Sequence, residues 1–223
     1  MRLTYYELNF TAEFERGSIG AIILERSNVF ECFLIALHKH LEKEETSFVL
    51  FEREKEMDLT KCCDFIASPF DLTFKKKAVT RNLFAELETV AGEADLSGCF
   101  CEIYGKILNV LEQLRFASDY VIGYSTDFSM QDIFKSCSVH IEEPTGTFAE
   151  KLIEYVVVMN RLLKRVFFVV ANCRVYLADA DYRHIQKVAE YYDLCIIFVE
   201  NTQLGLPKVK KEYIIDVDLC EIH

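Results

Sequence analysis

Short continuous apolar runs recur along the chain, each bounded by turn formers, and they predict strands buried on both faces. Ala21-Ile22-Ile23-Leu24 follows the turn signal Gly17-Ser18-Ile19-Gly20 and reads as one such strand. Leu3 to Phe10 is rich in β-formers and reads as a strand before it, and Ser47-Phe48-Val49-Leu50-Phe51 as a third. Between the Ala21–Leu24 and Ser47–Phe51 strands, Ser27 to Lys43 has helical spacing, with Asn28 and Glu31 placed as a capping box. The last third repeats this logic. Ser138 to Ile141 predicts a strand, Thr147 to Lys164 a helix, Phe167 to Ala171 a strand and Asp179 to Tyr192 a helix. Strands over Cys195 to Val199 and Tyr213 to Val217 complete it. Strands alternating with helices through short connections predict a parallel α/β sheet.

The middle of the chain departs from this pattern. From Thr73 to Lys135 the periodicity is helical and no strand is expected. Leu96, Phe100, Ile103, Ile107, Val110 and Leu114 alternate steps of four and three, which sets all six on one stripe of a helix. Leu83, Leu87 and Val90 of the preceding helix are the expected cover for it. The chain therefore divides into an α/β head in two parts, 1–68 and 138–223, with a helical arm, 69–137, inserted between them. At 223 residues and 51% hydrophobic, there is ample material for a core. No apolar run approaches the length of a membrane span. The N-terminal residues lack a signal-peptide pattern. Nine cysteines without C-x-x-C spacing point to a reducing compartment, hence a cytoplasmic protein.

Nucleotide chemistry is expected at the carboxyl ends of such strands. A P-loop would place G-x-x-x-x-G-K-[ST] after Leu24 so that backbone amides and a lysine cradle phosphate. The chain has Glu25-Arg26-Ser27-Asn28-Val29-Phe30 there, with no glycine, no lysine and a carboxylate that repels phosphate. Phe167 to Val170 leads into Ala171-Asn172 rather than a magnesium-binding aspartate. Glu200 alone marks the end of the Cys195 strand. His38 and His40 face different ways on a helix, and His140, His184 and His223 have no partner spacing. No catalytic constellation emerges, so the chain is not expected to be an enzyme.

The net charge of −11 by itself disfavours nucleic acid. What counts, however, is the local field, because distant charges are screened. Lys75, Lys76, Lys77 and Arg81 open the first arm helix, and Lys151, Arg161, Lys164 and Arg165 lie along another. Lys208, Lys210 and Lys211 cluster near the end. The first eight of these cations are the candidate DNA-backbone contacts, which need positive charge but no base-reading motif.

Two segments carry a family resemblance. Leu8-Asn9-Phe10, Gly17-Ser18, Ile22-Ile23-Leu24-Glu25 and Asn28-Val29-Phe30 form the first. Phe167 to Asn172, then Leu177, Tyr191, Leu194 to Glu200, Pro207 and Tyr213 to Asp218 form the second. In that order they resemble the type II-A CRISPR-associated spacer-acquisition ring proteins. The resemblance implies a P-loop-NTPase-like head without a functional P-loop and an inserted α-helical leg. It further implies a homotetrameric ring holding double-stranded DNA ends, without nuclease or ATPase activity. The implied partners are the CRISPR integrase proteins and the RNA-guided effector nuclease. Calcium is the implied cofactor, and no nucleotide. Asp119, Asp127 and Asp132 are the candidate metal ligands, few beside the roughly six to eight oxygens calcium takes. Two other classes compete: a small-molecule enzyme on a degenerate nucleotide fold, and an assembly scaffold whose arm binds protein.

Overall fold

The computed structural model describes residues 1–202 and 209–222. Along the chain come β1 (Arg2–Tyr5), β2 (Phe10–Glu13), β3 (Ser18–Leu24), α1 (Ser27–Leu41), β4 (Phe48–Glu52), β5 (Lys55–Met57), α2 (Leu59–Cys62) and β6 (Cys63–Ile66). Next are α3 (Lys77–Glu93), α4 (Ser97–Ala117), α5 (Met130–Ser136), α6 (Phe148–Leu163) and β7 (Phe167–Ala171). The chain closes with α7 (Asp179–Tyr192), β8 (Cys195–Glu200), β9 (Lys211–Ile215) and β10 (Glu221–Ile222). Met1–Phe74 and Glu143–His223 form one unit, mixed α/β, and Lys75–Glu142 a second, helical one.

The first unit is built on a sheet ordered β10-β9-β3-β8-β7-β6, parallel throughout except for β10. β3, β7 and β8 are buried at every position, which accounts for their unbroken apolar runs. α6 and α7 bury Leu152, Tyr155, Val156 and Met159, and Tyr182, Ile185 and Ala189. A second sheet, ordered β2-β1-β4-β5 and fully antiparallel, joins the main core through Leu3, Tyr5, Phe10, Ala12, Phe48 and Leu50. Tyr5 stacks on Phe48 at 4.5 Å, and Phe33 of α1 meets both rings edge-on. Arg16 ties the layers together, bonding Glu52 at 3.0 Å and Asp193 at 2.9 Å.

Tyr213 of β9 makes a further bridge. Its hydroxyl accepts from the Glu13 N–H at 2.8 Å and donates to the Glu13 carbonyl at 3.1 Å. The phenol thereby occupies an edge of β2 that would otherwise be open to another strand. Beside it, Gly20 lies under the buried ring of Phe14, where an added Cβ would sit 2.4 Å from Cδ1. Tyr213 packs on that ring at 5.4 Å, so the ring has little room to retreat. Gly20→Ala is expected to destabilise the protein by about 1–3 kcal/mol through overpacking. An unshifted denaturant midpoint would show that the ring moves freely.

Several expectations are corrected. Leu3 to Phe10 is not one strand: a 3₁₀ turn over Tyr6–Leu8 and left-handed Asn9 fold it into the β1–β2 hairpin. β4 does not join the parallel sheet. It pairs antiparallel with β1 and β5, since Phe48 and Leu50 alternate with less buried neighbours as a one-faced strand requires. Ser138 to Ile141 forms no strand. Ser138 is left-handed, and its N–H and that of Val139 bond the carbonyls of Lys135 and Phe134, closing α5. The Asn28–Glu31 capping box is absent, because the helix begins after Arg26 with no side-chain cap. β6, parallel to β7, was not expected.

In the helical unit, α3 packs on α5 through Phe84 and Phe134, with ring centroids 5.4 Å apart, and Gln131 donates to Glu88. The expected cover leaves much of the α4 stripe open, although Leu83, Leu87, Phe100 and Ile107 are half-buried. Val90, Leu96, Ile103, Val110 and Leu114 are each 46–56% exposed, and no residue of α4 is fully buried. Among the described residues, no helix is long and apolar enough to cross a membrane.

Candidate functional site

The carboxyl edge of the parallel sheet is where a phosphate would be held, and several of its backbone N–H groups are spent within the chain. The Glu25 N–H donates to the Ile215 carbonyl at 3.0 Å, and the N–H groups of Val29 and Phe30 return to the Arg26 carbonyl. No glycine lies between Gly20 and Gly92 to let backbone approach a ligand. After β7, left-handed Asn172 donates its N–H to the Val199 carbonyl. The next two N–H groups, of Cys173 and Arg174, both donate to Oε1 of Glu200 at 3.0 Å.

Glu200 is therefore an internal pin. It is 4% exposed, and burial raises its pKa above the ordinary value of 4.5, against the opposing pull of the two amides and Arg174. Arg174 donates to Leu177 and Asp179 and lies 5.1 Å over the ring of Tyr182. The neighbouring Cys173 thiol is pushed up to about 12 by burial, as is that of Cys195, so neither is a thiolate nucleophile at neutral pH.

The candidate cations fall in both units. In the helical unit, Lys75, Lys77 and Arg81 are exposed and Lys76 is half-buried. Lys76 is the N-cap of α3, without a side-chain cap. Lys77 and Arg81 are one helical turn apart and share a face. Positive charge at a helix N-terminus opposes the macrodipole by about 0.3–1 kcal/mol per residue. Like charges four apart add about 0.2–0.5 kcal/mol of repulsion. Lys77, in the first turn, is thus placed against helix stability.

In the α/β unit, Lys151 is half-buried and Arg161 exposed on α6, while Lys164 is its left-handed cap. Arg165 is committed elsewhere. It donates from Nη1 to the Thr60 carbonyl at 2.6 Å, holding the approach to β6. Lys210 pairs with Glu15, and Lys211 opens β9. Pro207, Lys208 and His223 lie outside the described residues.

The candidate metal ligands do not come together. Asp119 and Asp127 are exposed. Asp132 closes a capping box, accepting from the N–H of Ser129 at 2.9 Å and its hydroxyl at 2.6 Å. With Lys135 at 3.1 Å, these bonds hold its pKa down to about 2. The Ser129–Asp132 spacing was the sequence signal for this role. Among the described residues no three His, Cys, Asp or Glu side chains could hold a metal ion. Asp119, Asp127 and Asp132 do not fit calcium.

The comparisons with known proteins come to the same fold from outside. The structure is similar to the crystal structure of Stu0660 of Streptococcus thermophilus, with a TM-score of 0.61 at 12% identity, over 89% of this chain and 68% of that one. At that identity the likeness concerns fold alone. The ADP conformation of MJ1267, an ATP-binding cassette of an ABC transporter, matches at a TM-score of only 0.44 with 13% identity, over 96% of this chain and 85% of that one, too slight to carry an argument. No curated protein matches the chain. The model of the CRISPR-associated protein family Cas_Csn2 matches residues 40–219, most of the sequence, and the chain belongs to that family.

Proposed function

We propose that this protein holds double-stranded DNA ends during CRISPR spacer acquisition, as a homotetrameric ring and without catalysis. The observation that carries the proposal is the run Lys75, Lys76, Lys77 and Arg81 at the start of α3, of which Lys77 and Arg81 share one exposed face. A phosphate backbone is bound by such a cationic face without any base-reading motif. Lys151, Arg161 and Lys164 are secondary candidates, and Arg165 is set aside for its bond to Thr60. The carboxyl edge supports a head that takes no nucleotide, since Glu25, Cys173 and Arg174 spend their N–H groups within the chain and no glycine follows β3 until Gly92.

Assembly is supported by the open stripe of α4. Leu96, Ile103, Val110 and Leu114 carry no charge, so a second copy of this −11 chain meets no repulsion along them. Four copies then pool their cations on one wall while carboxylates face outward. Within this function the CRISPR integrase proteins and the RNA-guided effector nuclease are the proposed partners, and the cytoplasm is the compartment.

A competition gel-shift with linear and closed-circular duplex of the same sequence tests the proposal. Linear DNA is expected to compete at least about tenfold better, because phosphate contact supplies affinity and free ends supply entry. Equal competition by circles would exclude end binding.

A further inference from the structure

Phe70 is 92% exposed, the most exposed aromatic side chain among the described residues. It sits in a short 3₁₀ turn, Pro69–Asp71, that follows β6. An exposed ring alone means little, since protein surfaces carry many apolar groups. What distinguishes Phe70 is how firmly its backbone is held. Pro69 fixes its own φ at the start of the turn. The Ser68 hydroxyl accepts from the Phe70 N–H at 3.2 Å, and the Ser68 carbonyl from that of Asp71 at 3.0 Å. Asp71 accepts from the Ala67 N–H through its carboxylate and from the Thr73 N–H through its carbonyl, both at 2.9 Å. Further on, Glu143 accepts from the Thr73 hydroxyl at 3.0 Å and from the Phe74 N–H at 3.3 Å. Leu72 and Phe74 are buried, and the Phe74 ring stacks on Tyr155 at 6.1 Å. The turn is pinned on both sides of a ring that stands in solvent. An aromatic presented in this way loses little further conformational freedom when it binds.

The neighbouring charge indicates what such a ring meets. The run Lys75, Lys76 and Lys77 begins five residues after Phe70. Five residues of chain span at most about 17 Å, the length of about five base steps along a duplex. One continuous stretch therefore offers a flat π-face and three cations to the same few base pairs. Aromatic stacking on bases combined with cations on the backbone is a nucleic-acid-binding chemistry. Inside a duplex both faces of every base pair are covered by the stack, whereas the terminal pair has one face free. Cations cannot make this distinction, because the phosphates of a circle and of a linear molecule are alike. We infer that Phe70 stacks on the terminal base pair of a duplex end, beside the phosphates met by the Lys75–Lys77 run. This inference deepens the DNA-end binding proposed above and rests on it, assigning the group that tells an end from an interior. Phenylalanine offers a base no hydrogen bond, so the contact is independent of sequence.

Phe70→Ala and Phe70→Trp test it, with linear duplex carrying 2-aminopurine as its terminal base, a fluorophore that dims on stacking. The wild type is expected to quench this terminal probe and to leave an internal 2-aminopurine unchanged. Phe70→Ala should abolish the quenching and weaken binding to linear duplex by about tenfold or more. Its affinity for closed-circular duplex should hold, and so should the slope of log affinity against log salt, because no phosphate contact is lost. Phe70→Trp keeps a ring and should restore both quenching and affinity. Far-UV circular dichroism and melting of both variants should match the wild type, since the side chain lies in solvent. Unchanged affinity and quenching in Phe70→Ala overturn the stacking and leave the ring to a protein partner. An equal loss on linear and circular duplex overturns the assignment to an end. A wild-type protein that binds circles as well as ends sinks the reading on which the inference rests, and shows it before any variant is made.

Discussion

Reversing two charges at the start of α3, Lys77→Glu with Arg81→Glu, is expected to lower affinity for linear duplex by about a hundredfold or more at moderate salt. Each chain loses two cations and gains two carboxylates on one exposed face, and the proposed ring would multiply the change by its number of subunits. The plot of log affinity against log salt should flatten as well, by about one unit for each phosphate no longer neutralised. Stability separates this effect from misfolding. A carboxylate in the first turn interacts favourably with the macrodipole by about 0.3–1 kcal/mol, so Lys77→Glu alone should melt no lower than the wild type. Loss of DNA binding with stability held or raised is the expected signature. Unchanged affinity in the double variant would remove α3 from the interface and transfer the search to Lys151, Arg161 and Lys164.

Glu200→Ala carries the largest expected cost in stability, about 2–4 kcal/mol. It orphans the N–H groups of Cys173 and Arg174, the first of them fully buried, and an unmade buried bond costs about 1–3 kcal/mol. Glu200→Gln keeps an acceptor oxygen and removes the buried charge, so it should stay within about 1 kcal/mol of the wild type. The two variants also differ in pH dependence. Because the folded pKa of Glu200 is raised, the native state holds this proton to higher pH than the unfolded chain does. Its contribution is fully present below 4.5 and is lost as pH rises through the raised value. Asp132, with its pKa lowered, acts in the opposite sense, so the difference between wild type and Glu200→Gln is the informative quantity. That difference should grow in favour of the glutamine variant from pH 4.5 upward. A pH-independent difference would mean that the carboxylate is as well solvated folded as unfolded.

What the sequence made legible follows from which interactions are local. Ala21 to Leu24, Phe167 to Ala171 and Cys195 to Val199 announced themselves because strands buried on both faces must be apolar throughout. α4, α6 and α7 were equally readable from their spacing. Pairing is not local. Nothing in Phe48 to Phe51 says that its neighbours are β1 and β5, and β6 is four residues that gain their place only beside β7. The stripe on α4 was correctly placed but its cover is incomplete, since periodicity shows that a face wants cover without saying how far it is covered.

The site divides in the same way. The missing glycines after Leu24 were plain in the sequence. The grip of Glu200 on Cys173 and Arg174 spans 27 and 26 residues and appears only in the fold. Arg165 and Lys164 look alike as letters, yet one is bolted to the Thr60 carbonyl and the other caps a helix.

DNA-end binding by pooled cations is tested most directly by the affinity of the wild-type protein for linear and closed-circular duplex across salt, from roughly 50 to 200 mM. Cations gripping a DNA end predict a preference for linear DNA and a fall in affinity of about a thousandfold or more over that range. Binding that ignores salt, or that does not distinguish a circle from an end, would contradict it.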